Sequence, residues 1–299
     1  MAKASKVLIT GLGCITPLGN SLEETWTALQ KPHLSKSTKV RSFDFNSRLY
    51  DRKALKVMDR RTRLALAAAF EAADVSGLDC SEASSRRGIS LGIGFPDPGL
   101  EDISAALQDK PERSPAGRLL DNLNPLWLLN HLPNIPASHL AIQFKASGPS
   151  CTTSCGRQAL QYAADVIAGG EADCMICGAS DSSISPLYIA CDSEMNSGCA
   201  ASSPCEGAAI LVLESESHAM RRNAKILVEI ATETQDSAPG RLSELYLAYQ
   251  EHAGNPLSAA SSIFCALAIK ALSQDRQLPG IPKFPLCWLE PAPLFHEFA

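Results

Sequence analysis

The sequence predicts a layered α/β fold, and three observations carry that prediction. Short β-rich runs alternate with helix-patterned runs along most of the chain. Residues 156–168 place apolar side chains at 159, 160, 163, 166 and 167, a helical spacing, and stop at Gly169-Gly170. The 299 residues are 45% hydrophobic and 20% charged, enough apolar surface for one large domain or two smaller ones.

The elements follow in order. Residues 6–10 form a short β-rich strand running into Gly11-Leu12-Gly13. Ser21 with Glu24 is a capping box for a helix through Leu29. Residues 64–73 are an Ala/Leu-rich helix and 88–94 a second strand. Residues 125–132 read as a helix between prolines and asparagines, and 133–137 as a turn leading into 139–144. After the helix at 156–168, strands are expected at 174–177, 208–213 and 225–230. A long apolar helix at 257–272 starts after Pro256. From Pro279 the chain carries prolines at 279, 282, 285, 291 and 293 and reads as a loop or peripheral strap rather than a core element.

Composition narrows the function. The net charge of −5 is mild and no Lys/Arg block stands out, which argues against nucleic-acid binding. Arg60, Arg61 and Arg63 form a local basic patch, read chiefly as a solvated helix end and secondarily as a dock for an acidic carrier protein. Residues 1–6 are short and polar without an apolar core, so no signal peptide is expected. No run reads as long enough to span a bilayer. Eleven cysteines without a paired framework point to reduced thiols and a cytoplasmic setting. Cys174 and Cys177 make a C-x-x-C, but inside a buried-strand pattern that sends their side chains to opposite faces. With no second pair at ligand spacing they read as structural thiols, and no metal is expected.

Four segments carry a family resemblance. Residues 7–20, Val-Leu-Ile-Thr-Gly-Leu-Gly-Cys-Ile-Thr-Pro-Leu-Gly-Asn, resemble the opening of β-ketoacyl-acyl-carrier-protein synthases of the ketoacyl synthase II type. Leu132-Pro133-Asn134-Ile135-Pro136-Ala137 is similar to their Pro-Asn-Met-Pro-Ala turn, Gly170-Glu171-Ala172-Asp173 to their Gly-Glu-Ala-Asp, and residues 206–214 to their Gly-Glu-Gly-Ala-Gly-Val-Leu-Val-Leu-Glu strand. The order is right, and the match covers residues 5–230. The resemblance implies a thiolase-like fold, stacked helix/sheet/helix/sheet/helix, at least dimeric. It implies a ketosynthase-like N-terminal half at 1–230 and a truncated remnant of the C-terminal half at 231–299.

The family's chemistry uses a cysteine at the start of a central helix, where the helix dipole and backbone N–H groups favour a thiolate. Two histidines and a lysine complete its decarboxylating site. Counting back from Gly170 without a gap puts Thr153 at the cysteine position. A short gap at the helix start would bring Cys155 there instead. Threonine is a poor thioester acceptor without an activating base. The family's Lys-Ser-x-Thr-Gly-His-x-x-Gly-Ala-Ala resembles residues 250–260, which put Gln250 at the lysine and Asn255 at the histidine. Asparagine cannot switch charge near neutral pH. His252 lies off the motif position and reads as a surface histidine. The His-Gly-Thr-x-Thr and Gly-Phe-Gly-Gly-Thr-Asn motifs find no counterpart.

The resemblance therefore suggests a non-catalytic subunit like a chain length factor. Its partners would be an active ketosynthase and an acyl carrier protein with its acyl chain, without cofactor, nucleic acid or membrane. Thr153, Gln250 and Asn255 are then positions of lost catalysis. The alternative is an acyl-thioester transferase or condensing enzyme using Cys155, with His252 or another histidine. On the first reading, apolar edges left by the truncation would need a partner to cover them.

Overall fold

A computed structural model describes residues 5–31, 36–94, 104, 114, 116–117, 125–195, 203–231, 240–274 and 283–285. Among these, one seven-stranded sheet organises the chain. Its strands are β1 (Val7–Ile15), β2 (Arg87–Ile93), β3 (Ser150–Thr153), β4 (Cys174–Asp181), β5 (Gly207–Ser215), β6 (Val228–Ala231) and β7 (Lys283–Pro285), in the order β3-β2-β4-β5-β1-β6-β7. β2 runs parallel to β3 and β4, β5 is antiparallel to β4 and β1, and β6 is parallel to β7. Of the two sheets in the implied five-layer stack, one is found among the described residues.

Each face of the sheet is buried. On one face α2 (Arg60–Ser76) and α4 (Ile135–Gln143) cover Ile89, Leu91, Ile176, Ile210 and Val212. On the other α1 (Leu22–Leu29), α5 (Gly156–Ala168), α8 (Gly240–Ala253) and α9 (Ala260–Gln274) cover Ile9, Met175, Cys177, Leu211 and Leu213. Large side chains buried this completely contribute roughly 1.5–3 kcal/mol each. The remaining helices are α3 (Trp127–His131), α6 (Pro186–Met195) and α7 (Glu216–Arg221).

β1 is longer than expected because a bulge between Ile9 and Gly11 lets it continue. The bulge changes the side-chain parity, so Val7 and Ile9, then Leu12 and Cys14, reach the same core. Gly11 and Gly13 are needed for α2 to cross this strand. A Cβ at Gly13 would lie 2.0 Å from the Ala68 carbonyl oxygen, and one at Gly11 2.2 Å from that of Ala72. α2 begins one turn before its Ala/Leu-rich centre, capped by Asp59, whose carboxylate accepts the Thr62 N–H at 2.8 Å. It ends at Gly77 in the left-handed region, φ 63°. Gly77→Ala has room for its methyl group, so it isolates the backbone effect and lowers stability by about 1 kcal/mol in a urea titration.

Three expectations are corrected. Residues 133–137 include the first turn of α4, because Pro136 sits where its missing N–H costs nothing. The proline-rich tail is not wholly peripheral: Lys283–Pro285 pairs with β6, and Phe284 is fully buried. A run long and apolar enough for a bilayer does exist, at Leu257–Gln274, but most of it is packed inside the protein.

Among the described residues, α8 covers part of α9. Tyr246 and Tyr249 stack at 5.8 Å, and Tyr246 meets Phe264 of α9 edge-on. The solvent face of α5 carries Arg157, Gln158, Gln161 and Asp165, with Gln161 bonded to Asp165. The apolar surface of α9 is thus covered by the chain itself rather than left for a partner.

Candidate functional site

The C-terminal ends of β2, β3 and β4, which run parallel, meet the N-terminal ends of α5 and α9. Thr153 closes β3, half-buried, and its hydroxyl donates to the Cys155 carbonyl at 2.9 Å. Cys155 caps α5 in an extended conformation, φ −152° and ψ 161°, without a side-chain capping bond. Its backbone lies against Gly92, where a Cβ would come within 2.4 Å of the Cys155 carbonyl carbon. Gly156 is equally constrained, since a Cβ there would meet the Ser262 hydroxyl of α9 at 2.0 Å. Ser262 is fully buried, and among the described residues its hydroxyl has no hydrogen-bond partner. The two helix starts are therefore pressed together through a glycine.

The second motif, residues 250–260, begins inside α8. Gln250 sits in its last turn, and its carbonyl accepts the Gly254 N–H at 3.0 Å. Asn255 bridges to Pro204, and its side-chain oxygen accepts the Leu257 N–H at 3.0 Å. That bond shapes the turn before the short 3-10 helix Leu257–Ala259. His252 is half-buried rather than a surface side chain. Its Nδ1 is buried with no hydrogen-bond partner among the described residues, and its carbonyl accepts the Ser37 N–H. Among the hydrogen bonds of the described residues, none joins His252 to Cys155 or Thr153.

Sequence reasoning missed the network that fixes this corner. Asp181 ends β4 fully buried. One carboxylate oxygen accepts the N–H and hydroxyl of Ser183 at 3.0 and 2.7 Å. The other accepts the N–H and hydroxyl of Ser258 at 3.2 and 2.7 Å. Four donors thereby offset the desolvation of a buried charge. Gly94 leaves room for it, because a Cβ there would strike the Asp181 carboxylate at 2.2 Å. The only hint in the sequence is a polar Ser-Asp-Ser-Ser run closing an apolar strand.

Arg60, Arg61 and Arg63 are not a free basic patch. Arg60 donates twice to Glu206, both at 2.9 Å. Arg61 is buried between Asp59 and the Gly94 carbonyl. Arg63 caps the Leu55 and Met58 carbonyls. Exposed cations occur nearby at Arg52, Lys53 and Lys56, beside the exposed Tyr50. Cys174 and Cys177 face opposite cores, and burial pushes both thiols up, which keeps them neutral. Among the described residues no group of three His, Cys, Asp or Glu side chains could hold a metal.

Comparison with known proteins places this geometry. Residues 32–219 match the family model described as beta-ketoacyl synthase, N-terminal domain. The chain is similar to 3-oxoacyl-[acyl-carrier-protein] synthase 2 of Vibrio cholerae, 29% identical over 264 residues, covering 75% of this chain and 61% of that protein. It thus spans about three-fifths of the length of that curated relative. A structure described as a type II PKS acyl-carrier protein in complex with its ketosynthase bound to the hexaketide superposes with a TM-score of 0.73 at 23% identity. That match covers 94% of this chain and 96% of the solved one. The ishigamide ketosynthase/chain length factor superposes with a TM-score of 0.61 at 20% identity, covering 96% of this chain and 81% of the other. At these identities the superpositions establish the thiolase-like fold.

Proposed function

Because the chain belongs to the β-ketoacyl synthase family, we propose that it is a non-catalytic subunit, like a chain length factor, that pairs with an active ketosynthase. Together they would shape the chamber for a chain delivered by an acyl carrier protein, in the cytoplasm. On this reading residues 1–230 form the ketosynthase-like half and 231–299 a reduced C-terminal half.

The carrying observation is how the three family positions are used. Thr153 spends its hydroxyl on the Cys155 carbonyl, and Asn255 spends its side-chain oxygen on the Leu257 N–H. Gln250 has an amide where an ammonium would order the site. None of these groups supplies a thiolate or an imidazole, so the corner serves as wall rather than as machinery. The near-complete overlap with a solved chain from a type II ketosynthase complex supports the ketosynthase-like part of this reading.

Pairing has a surface to use. Among the described residues β3 is an edge strand, and only β2 pairs with it. α4 packs beside β3, and α3 packs against α4. α3 and its flanks expose Leu126, Leu128, Leu129 and Leu132, a cluster unusual for a surface kept in water.

Reconstitution tests the role. A ketosynthase co-purified with this chain is expected to give a narrower set of product lengths than the ketosynthase alone. An identical product set with and without the chain would contradict it.

One observation favours a second reading. Cys155, not Thr153, is the cap of α5 and stands nearest the helix dipole. That position could activate its thiol toward a carrier-bound thioester, with Cys155 as acyl acceptor.

A further inference from the structure

One face of α1 and the segment at 37–41 flank a cavity of about 380 Å³, a volume that takes a small organic ligand. None of its lining residues belongs to the Thr153 corner. Buried Leu18 and Ala28 supply its apolar surface. Four charged side chains also line it, and they are not equally free. Glu23 is held by Lys270 of α9. Glu24 gives one carboxylate oxygen to the Asn20 N–H at 2.8 Å. Lys31, just past α1, and Arg41, on the second wall, are exposed. Neither makes a side-chain hydrogen bond or ion pair among the described residues. The chain has 32 acidic residues to 27 basic ones, yet these two cations stay unpaired beside one cavity. Together they raise its positive potential, which an anion relieves.

We propose that this cavity binds a small organic phosphate whose far end carries hydroxyl groups, a sugar phosphate in chemical class. The cations select the head. A guanidinium presents a planar fork that takes two phosphate oxygens, and an ammonium takes the third. A carboxylate has only two oxygens to share between them. Thr27 lies one turn before Lys31 on the same face of α1, and its hydroxyl has no hydrogen bond among the described residues. It adds a third donor for the phosphate. Glu24 selects the other end. It lies seven positions before Lys31, about 10 Å along the helix axis. Its second carboxylate oxygen repels a phosphate but accepts from a hydroxyl group. The phosphate therefore lies toward Lys31 and Arg41, and the hydroxyl groups toward Glu24. Inorganic phosphate gains nothing from that acid, and a ligand with phosphates at both ends would set its second charge against it.

The test titrates the full chain with glucose 6-phosphate, glucose and inorganic phosphate at constant ionic strength, by calorimetry and backbone amide NMR. Glucose 6-phosphate is expected to bind and to shift the signals of Thr27 and Lys31. Inorganic phosphate should bind at least about fivefold more weakly, the ratio one or two hydrogen bonds supply, and glucose more weakly still. Lys31→Ala and, separately, Arg41→Ala should each weaken glucose 6-phosphate at least about tenfold, the loss of one charge-assisted hydrogen bond. Both side chains are exposed, so the melting temperature should not move. Glu24→Gln, which keeps an acceptor for the Asn20 N–H, should tighten inorganic phosphate and narrow the gap between the two phosphates. No binding of glucose 6-phosphate, equal binding of inorganic phosphate or glucose, or unchanged affinity in both cation variants would overturn the proposal. The outcome is independent of whether the chain pairs with a ketosynthase.

Discussion

Replacing Arg222 with alanine lowers the stability of the chain by about 3–5 kcal/mol, the cost of leaving a buried carboxylate without its cation. Glu214 on β5 is fully buried. Arg222 donates to both its oxygens, one of them from Nε at 2.8 Å, and Thr10 of β1 and His218 of α7 add two more bonds. Arg222 also holds the Ser76 carbonyl at the end of α2. One guanidinium thus ties α2 and β5 together, while Glu214 ties in β1. Burial pushes the Glu214 carboxyl up, but its bonds from Arg222, His218 and Thr10 outweigh that and hold it down to about 2. A depressed folded value means the stabilisation is complete above the ordinary carboxylate value of 4.5 and is lost as pH falls from there toward 2. Urea midpoints should fall across that window for the native chain. Glu214→Gln, destabilised at neutral pH, should lose less over the same range. A native-like Arg222→Ala midpoint at neutral pH would refute this account of the network.

Leu128→Asp with Leu129→Asp weakens pairing with the ketosynthase by at least about thirtyfold, if the leucine cluster forms the heart of the contact. Truncating a residue at an interface centre costs about 2 kcal/mol or more, and a buried unpaired carboxylate costs further. Both side chains are exposed in the isolated chain, 59% and 39%, so the melting temperature should stay near that of the parent. Unchanged co-purification, at unchanged stability, would place the partner on another surface.

Much of the fold was legible because the strongest signals were local. The periodicity of α5 and its glycine stop, the Ser21 cap of α1 and the alternation of strands with helices each lie within a short window. β3 was missed because Ser-Cys-Thr-Thr has neither length nor alternation, and only pairing with β2 makes it a strand. The span of β1 was underestimated because a bulge restores its register after Ile9, which no periodic pattern announces. α8 was missed because its role depends on tertiary packing: Tyr246 and Tyr249 stack on each other, and Tyr246 meets Phe264 of α9 edge-on. The site divides in the same way. Thr153, Gln250 and Asn255 are proposed as positions of lost catalysis by counting within motifs, which needs only the sequence. The Asp181–Ser258 network joins residues 77 positions apart, so only the folded chain reveals it.

The most direct measurement of the central claim is the intact mass of this chain after incubation with an acyl carrier protein carrying a labelled acyl group, alone and co-purified with a ketosynthase. The account predicts that the ketosynthase gains the acyl mass and this chain gains none. An acyl adduct on this chain that disappears in Cys155→Ala would contradict it and establish Cys155 as an acyl acceptor.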